Sequence, residues 1–223
     1  MLAERIAKLY LQSGQNVLPA RSRRSLPGTI REFDSGLRDL SAAAPTTEIR
    51  ENYLLLRRLW DEYAAIAGKP PAVDGAKKLS ERSEELAWVA AKGARLYQGH
   101  WRDARIELVM AAGEMRWRSQ QIAKLHLLRG WGIRSEAIAA DVAIADAAYR
   151  KAAQLLRAAP ETTPEIAAEL QIAENQYPFL GQAAERLASR KSAAQELEFI
   201  AKTSDNLLEV LDRVARLYEG PRN

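Results

Sequence analysis

The chain has 223 residues, 47 % of them apolar, with 33 Lys and Arg against 29 Asp and Glu, a formal net charge of +4 and no cysteine. That length and apolar content supply a core for one large or two small domains, and the lack of cysteine removes disulfides, thiolate nucleophiles and every Cys-bearing zinc pattern. With 12 Gly, 9 Pro and 7 % aromatic residues amid abundant Ala, Leu, Glu and Arg, the expected fold is all-α, and no run approaches the roughly 18 to 20 apolar residues of a membrane span.

Eight helices are expected in chain order. From Met1 to about Val17, Leu2, Ile6, Leu9, Tyr10 and Leu11 follow helical spacing, and Gly14 with Pro19 marks the exit. Arg21, Arg23 and Arg24 form the one compact basic run and read as a solvated loop. Pro27-Gly28-Thr29 introduces a second helix through Ile30, Phe33, Leu37 and Leu40, which Pro45 stops. Thr46 or Thr47 caps a third, carrying Ile49, Tyr53, Leu56, Trp60 and Tyr63 to Gly68. A fourth runs from about Gly75 to Gln98. The fifth spans about Arg102 to Leu128, with Gly130 and Gly132 as left-handed exit positions. A sixth runs from about Ser135 to Ala158. Thr162 or Thr163 then caps a seventh beside Pro164, read as one helix to about Ser189 kinked at Pro178, with a break there as the alternative. The eighth covers about Ser192 to Tyr218.

The list is internally repetitive. IAKL followed by an aromatic ring and Leu occurs at Ile6 to Leu11 and again at Ile122 to Leu127, a spacing of 116; AAP recurs at 115 and ARLY at 121. Order and spacing are shared, so two homologous four-helix units are expected, at 1–100 and 101–223, each an antiparallel bundle joined by short connections. The two are expected to relate by an approximate two-fold, with the helix from Met1 near the one containing Arg116. In the second copy the pattern runs upstream through Ile106, Val109, Met110, Gly113 and Arg116, whereas the first begins abruptly at Met1, as if its opening residues were missing.

The segments MLAERIAKLYL, APTTEIRENYLLLRRLWDEY and AAGEMRWRSQQIAKLHL resemble the N-terminal domain of type IV pilus methyl-accepting chemotaxis transducers, the PilJ-type domain, a class similar to the periplasmic sensor of nitrate/nitrite-responsive histidine kinases. The resemblance covers nearly the whole chain as two tandem copies. In those kinases a motif of the form AGxxRMxSxR supplies an arginine that binds nitrate across a dimer interface. Here Ala112-Gly113-Glu114-Met115-Arg116-Trp117-Arg118-Ser119 fits, with Trp117 in place of Met and Gln121 in place of a second Arg. The resemblance therefore implies a small anion, nitrate or nitrite, at Arg116, a periplasmic native form preceded by an export signal, and a separate signalling or transport partner. Arg5 is the charged residue expected from the first copy, Ser119 and Gln120 are expected neutral donors, and Gly113 and Trp117 are expected pocket walls.

The chemistry of that assignment is sound, because a guanidinium fork donates parallel charge-assisted hydrogen bonds to a planar oxyanion. Arg116 and Gln120 stand four residues apart on one helix face with Gly113, a residue small enough to admit another backbone. A plain inter-helix salt bridge at Arg116 is the competing reading. Trp60, Trp88, Trp101, Trp117 and Trp131 are read as packing residues. His100 and His126 fit no metal-binding spacing, and no phosphate loop, nucleophile elbow or acid/base pair is visible, so no cofactor and no enzyme activity are expected. A helical interaction scaffold with a degenerate anion site is the second functional reading; a nucleic-acid adaptor is a third, which the evenly mixed charge does little to support.

Overall fold

The structure, a computed structural model, describes residues 1–101, 104–188 and 193–220. Among these residues every element is an α-helix, numbered here α1 Leu2–Gly14, α2 Pro19–Ala42, α3 Thr47–Ala67, α4 Val73–Trp101, α5 Ala104–Gly130, α6 Glu136–Ala158, α7 Pro164–Gln176, α8 Pro178–Ala188 and α9 Ala193–Glu219. They form two compact units, one holding α1–α4 and the other α5–α9. The expected helix ends at Arg102, Ser189 and Ser192 lie outside the described residues.

In the first unit α1 packs on α2 and α4, and α3 on α4 and α2. Its core is built from Ile6, Leu9, Tyr10 and Leu11 of α1 with Tyr53, Leu56, Trp60 and Tyr63 of α3 and Leu79, Leu86 and Val89 of α4. In the second unit α5 packs on α6 and α9, while α7 and α8 both pack on α9. Met115, Leu125, Leu127, Tyr149, Leu156, Leu170, Leu180, Ile200, Leu207, Leu211 and Val214 fill its interior.

Two expectations are corrected. The basic run is not a loop: α2 starts at Pro19, so Arg21, Arg23 and Arg24 are exposed residues of its first two turns, and Pro27 lies inside the helix. The start moves upstream because α1 closes so tightly. Asn16 takes the left-handed conformation (φ 58) and the Val17 amide donates to the Gln12 carbonyl at 2.8 Å, a Schellman closure in which asparagine tolerates the turn. Leu18 is also left-handed (φ 47), and Pro19, whose ring presets a helical φ, then opens α2. The seventh expected helix is divided in two: Tyr177 keeps helical angles (φ −57, ψ −42) and its amide reaches the Ala173 carbonyl, but Pro178 has no N–H to continue the ladder.

Several contacts recur in the two units at the spacing of the sequence repeat. Asn16 has its counterpart in Gly132 (φ 82), where the Ile133 amide donates to the Leu128 carbonyl at 3.0 Å. Thr46 and Thr163 both cap, accepting from the amides of Ile49 and Ile166 at 3.3 Å. Phe33 stacks on Trp60 with centroids 4.0 Å apart, and Tyr149 stacks on Tyr177 at 3.7 Å. In each pair the third-helix ring also donates to an aspartate that binds arginine, though here the aspartates and arginines are not at matched positions of the repeat: Trp60 and Arg57 to Asp34, Tyr177 and Arg150 to Asp146. Finally the Tyr97 hydroxyl donates to the Leu40 carbonyl, and that of Tyr218 to the Leu156 carbonyl, both at 3.3 Å.

Candidate functional site

Arg116 and Asp212 belong to α5 and α9, which pack together within the second unit. The Arg116 Nε lies 2.6 Å from Asp212 Oδ1, with the two side chains 27 % and 30 % exposed. Neither atom forms a hydrogen bond, so the N–H points off the line of approach and the contact is an ion pair. The inter-helix salt bridge expected as the competing reading of Arg116 is therefore present, and the Arg116 side chain as a whole remains partly exposed.

The neighbours expected to help Arg116 are placed differently from one another. Ser119 is buried and its hydroxyl donates to the Arg116 carbonyl at 2.9 Å. Gln120, fully buried, donates from Nε2 to the Ser204 carbonyl at 2.8 Å, and its Oε1 has no partner. Both side chains thus spend donors inside the helix pair. Gly113 does not mark a close approach, since a Cβ built on it would meet nothing within 4 Å. Trp117 is half-buried, with the Arg118 guanidinium 3.6 Å from its ring centre; Arg118 also donates to Glu114 and Gln121, each at 2.8 Å. Arg5 stands on α1 in the first unit, half-buried, with a buried Nε that has no hydrogen-bond partner.

Of the tryptophans read as packing residues, Trp60 is buried while Trp88 is 62 % exposed on α4, a correction; the side chain of Trp101 lies outside the described residues. The heptad-like pattern around Trp88 places Leu86 and Val89 inward, which leaves position 88 on the outer face.

A second location holds a pocket of about 260 Å³, which opens between α5, α6 and the Pro178 break, with Ile122, Val142, Pro178 and Leu180 as apolar walls and His126, Asp146, Arg150 and Tyr177 as polar ones. His126 is 2 % exposed and its Nδ1 has no hydrogen-bond partner. Burial, helped by the nearby Arg129 cation, pushes its pKa down to about 4, so the ring is neutral at pH 7. Asp146 is different: burial alone would raise it, but hydrogen bonds from Arg150 at 2.9 Å and the Tyr177 hydroxyl at 2.8 Å hold it below the usual carboxylate range. Burial raises both Tyr149 and Tyr177, so both phenols stay protonated.

Sequence reading missed this pocket, although two signals bear on it: Pro178 interrupts a helical pattern, and His126 replaces the Tyr10 of the other copy. Among the described residues no cluster of three or more His, Cys, Asp or Glu could hold a metal ion, and no helix is long and apolar enough to cross a membrane. The chain matches no family model, no curated protein and no solved structure.

Proposed function

We propose that this protein is a non-catalytic sensing module, two tandem antiparallel four-helix bundles of the PilJ type, that recognises a small anion such as nitrate or nitrite and signals through a separate protein, in the periplasm. The contacts that recur at the repeat spacing support the duplication. The observation that carries the ligand reading is Arg116, whose Nε is held by Asp212 while its side chain as a whole is more than a quarter exposed. Its terminal amino groups suit a planar oxyanion, which has to compete with Asp212 for the charge. Binding is accordingly modest, about millimolar, or about 4 kcal/mol.

Isothermal titration with nitrate and nitrite at low chloride tests this on three proteins. Arg116→Ala is expected to weaken binding by roughly 1.5 to 3 kcal/mol, and Asp212→Asn to strengthen it by removing the competing carboxylate. Equal binding by the parent and Arg116→Ala would rule the arginine out. Binding by none of the three would favour the second reading, an interaction scaffold, which the exposed Trp88 (62 %) and Ile144 (61 %) and the internally engaged Ser119 and Gln120 support.

A further inference from the structure

We propose that the pocket at the Pro178 break is a binding site for a compact neutral molecule, apolar over most of its surface and carrying one hydrogen-bonding head group that His126 receives. This site is independent of the anion reading of Arg116. The pocket's volume of about 260 Å³ is several times the roughly 30 Å³ that one water occupies, and sits just below the roughly 300 Å³ where sites for drug-sized ligands begin. Its apolar walls, Ile122, Val142, Pro178 and Leu180, suit a hydrocarbon body. Buried polar atoms are nearly always paired, so the orphan Nδ1 of His126, in a side chain only 2 % exposed, points to a partner supplied from outside the chain.

The first unit gives an internal control. Tyr10 stands at the position of His126 and is fully used: its hydroxyl donates to the Pro70 carbonyl at 3.1 Å and accepts from the Ala72 amide at 3.0 Å. It also presses on Gly75, where an added Cβ would lie 2.2 Å from the hydroxyl oxygen. One copy of the repeat puts a satisfied ring at this position; the other puts a shorter ring there, in the wall of the pocket, with an Nδ1 that has no hydrogen-bond partner. The break at Pro178 and the bare Gly181, whose added Cβ would meet nothing within 4 Å, leave that pocket open.

The charges select a neutral ligand. Asp146 is committed to Arg150 and Tyr177, Glu185 adds a second carboxylate to the wall, and the imidazole is uncharged, so the lining sums to one negative charge. An anion would meet repulsion here, whereas a hydroxyl can donate to, or accept from, a neutral imidazole.

Phenol, compact and neutral with one hydroxyl, is the probe, and benzoate is its anionic counterpart. Two-dimensional NMR of the histidine ring nitrogens follows a titration of the full chain with each. Phenol should move the His126 resonances saturably while leaving those of His100 in place, and benzoate should bind at least tenfold more weakly. His126→Phe should lose at least tenfold in phenol affinity by calorimetry. Gly181→Leu, which fills the mouth without a clash at Cβ, should do the same with an unchanged circular dichroism spectrum. Absence of a saturable His126 shift, equal binding of phenol and benzoate, or full phenol affinity in Gly181→Leu would each overturn the proposal.

Discussion

His126 is a neutral ring where an unfolded chain carries a titrating one, and the difference is a statement about stability. The folded pKa is depressed to about 4 from the ordinary 6.5, so between those values the unfolded state binds more protons and acid favours unfolding. Stability is therefore complete above about pH 6.5 and falls as pH drops toward 4, by at most on the order of 3 kcal/mol for a shift of about 2.5 units. Below about 4 the depressed carboxyls of Asp34 and Asp146 add their own loss. Urea midpoints measured from pH 4 to 7 should show this slope in the parent protein. His126→Phe should flatten it, and an unchanged slope in that variant would mean the histidine is not the titrating group.

At the level of elements, the caps were legible and so was Pro164 in the first turn of α7, but Pro27 was not. Thr46, Ser135 and Thr163 each precede an apolar helical pattern and each accepts the amide three residues on, as a side-chain oxygen at the N-cap does. Thr163→Ala should cost about 1 kcal/mol in denaturant unfolding, with a similar loss for Thr46→Ala. Pro27 misled, because a mid-helix proline removes one hydrogen bond but its φ is helical, so a helix already started at Pro19 can absorb it. The repeat itself held the correction: at the 116-residue spacing, Ser135, the N-cap just before α6, maps onto Pro19. What no pattern displays is the backbone of Leu18, a non-glycine residue in left-handed geometry, which costs roughly 1 to 2 kcal/mol. Leu18→Asn, which tolerates that conformation, should raise stability by about 1 kcal/mol; a decrease would show that the leucine side chain contributes more by packing than it costs in strain.

Across the whole molecule, several positions matched by the sequence repeat keep their local geometry while exchanging chemistry, which is why the all-α class was readable and the candidate sites were only partly so. Ion pairing at Arg116 was an open alternative in the sequence, whereas the pocket depends on a difference between copies at one ring. The same exchange occurs six residues earlier in the repeat. Glu4 accepts the Ser83 hydroxyl at 3.2 Å, while its counterpart Gln120 donates to the Ser204 carbonyl at 2.8 Å, both in fully buried side chains. Each residue thus has the polarity its own unit needs, and the two are not interchangeable. In Gln120→Glu a carboxylate replaces the donor, so an acceptor faces an acceptor with no water to separate them, and the carbonyl loses that bond. The loss should be at least about 2 kcal/mol, the cost of leaving a buried polar group unsatisfied, more if the group is charged. It should also grow as pH rises through the carboxyl's range, since the protonated acid can still donate to Ser204. Chemical denaturation of Gln120→Glu at pH 4.5 and 7.5 makes the comparison, and a variant as stable as the parent at both would mean that position 120 tolerates either polarity.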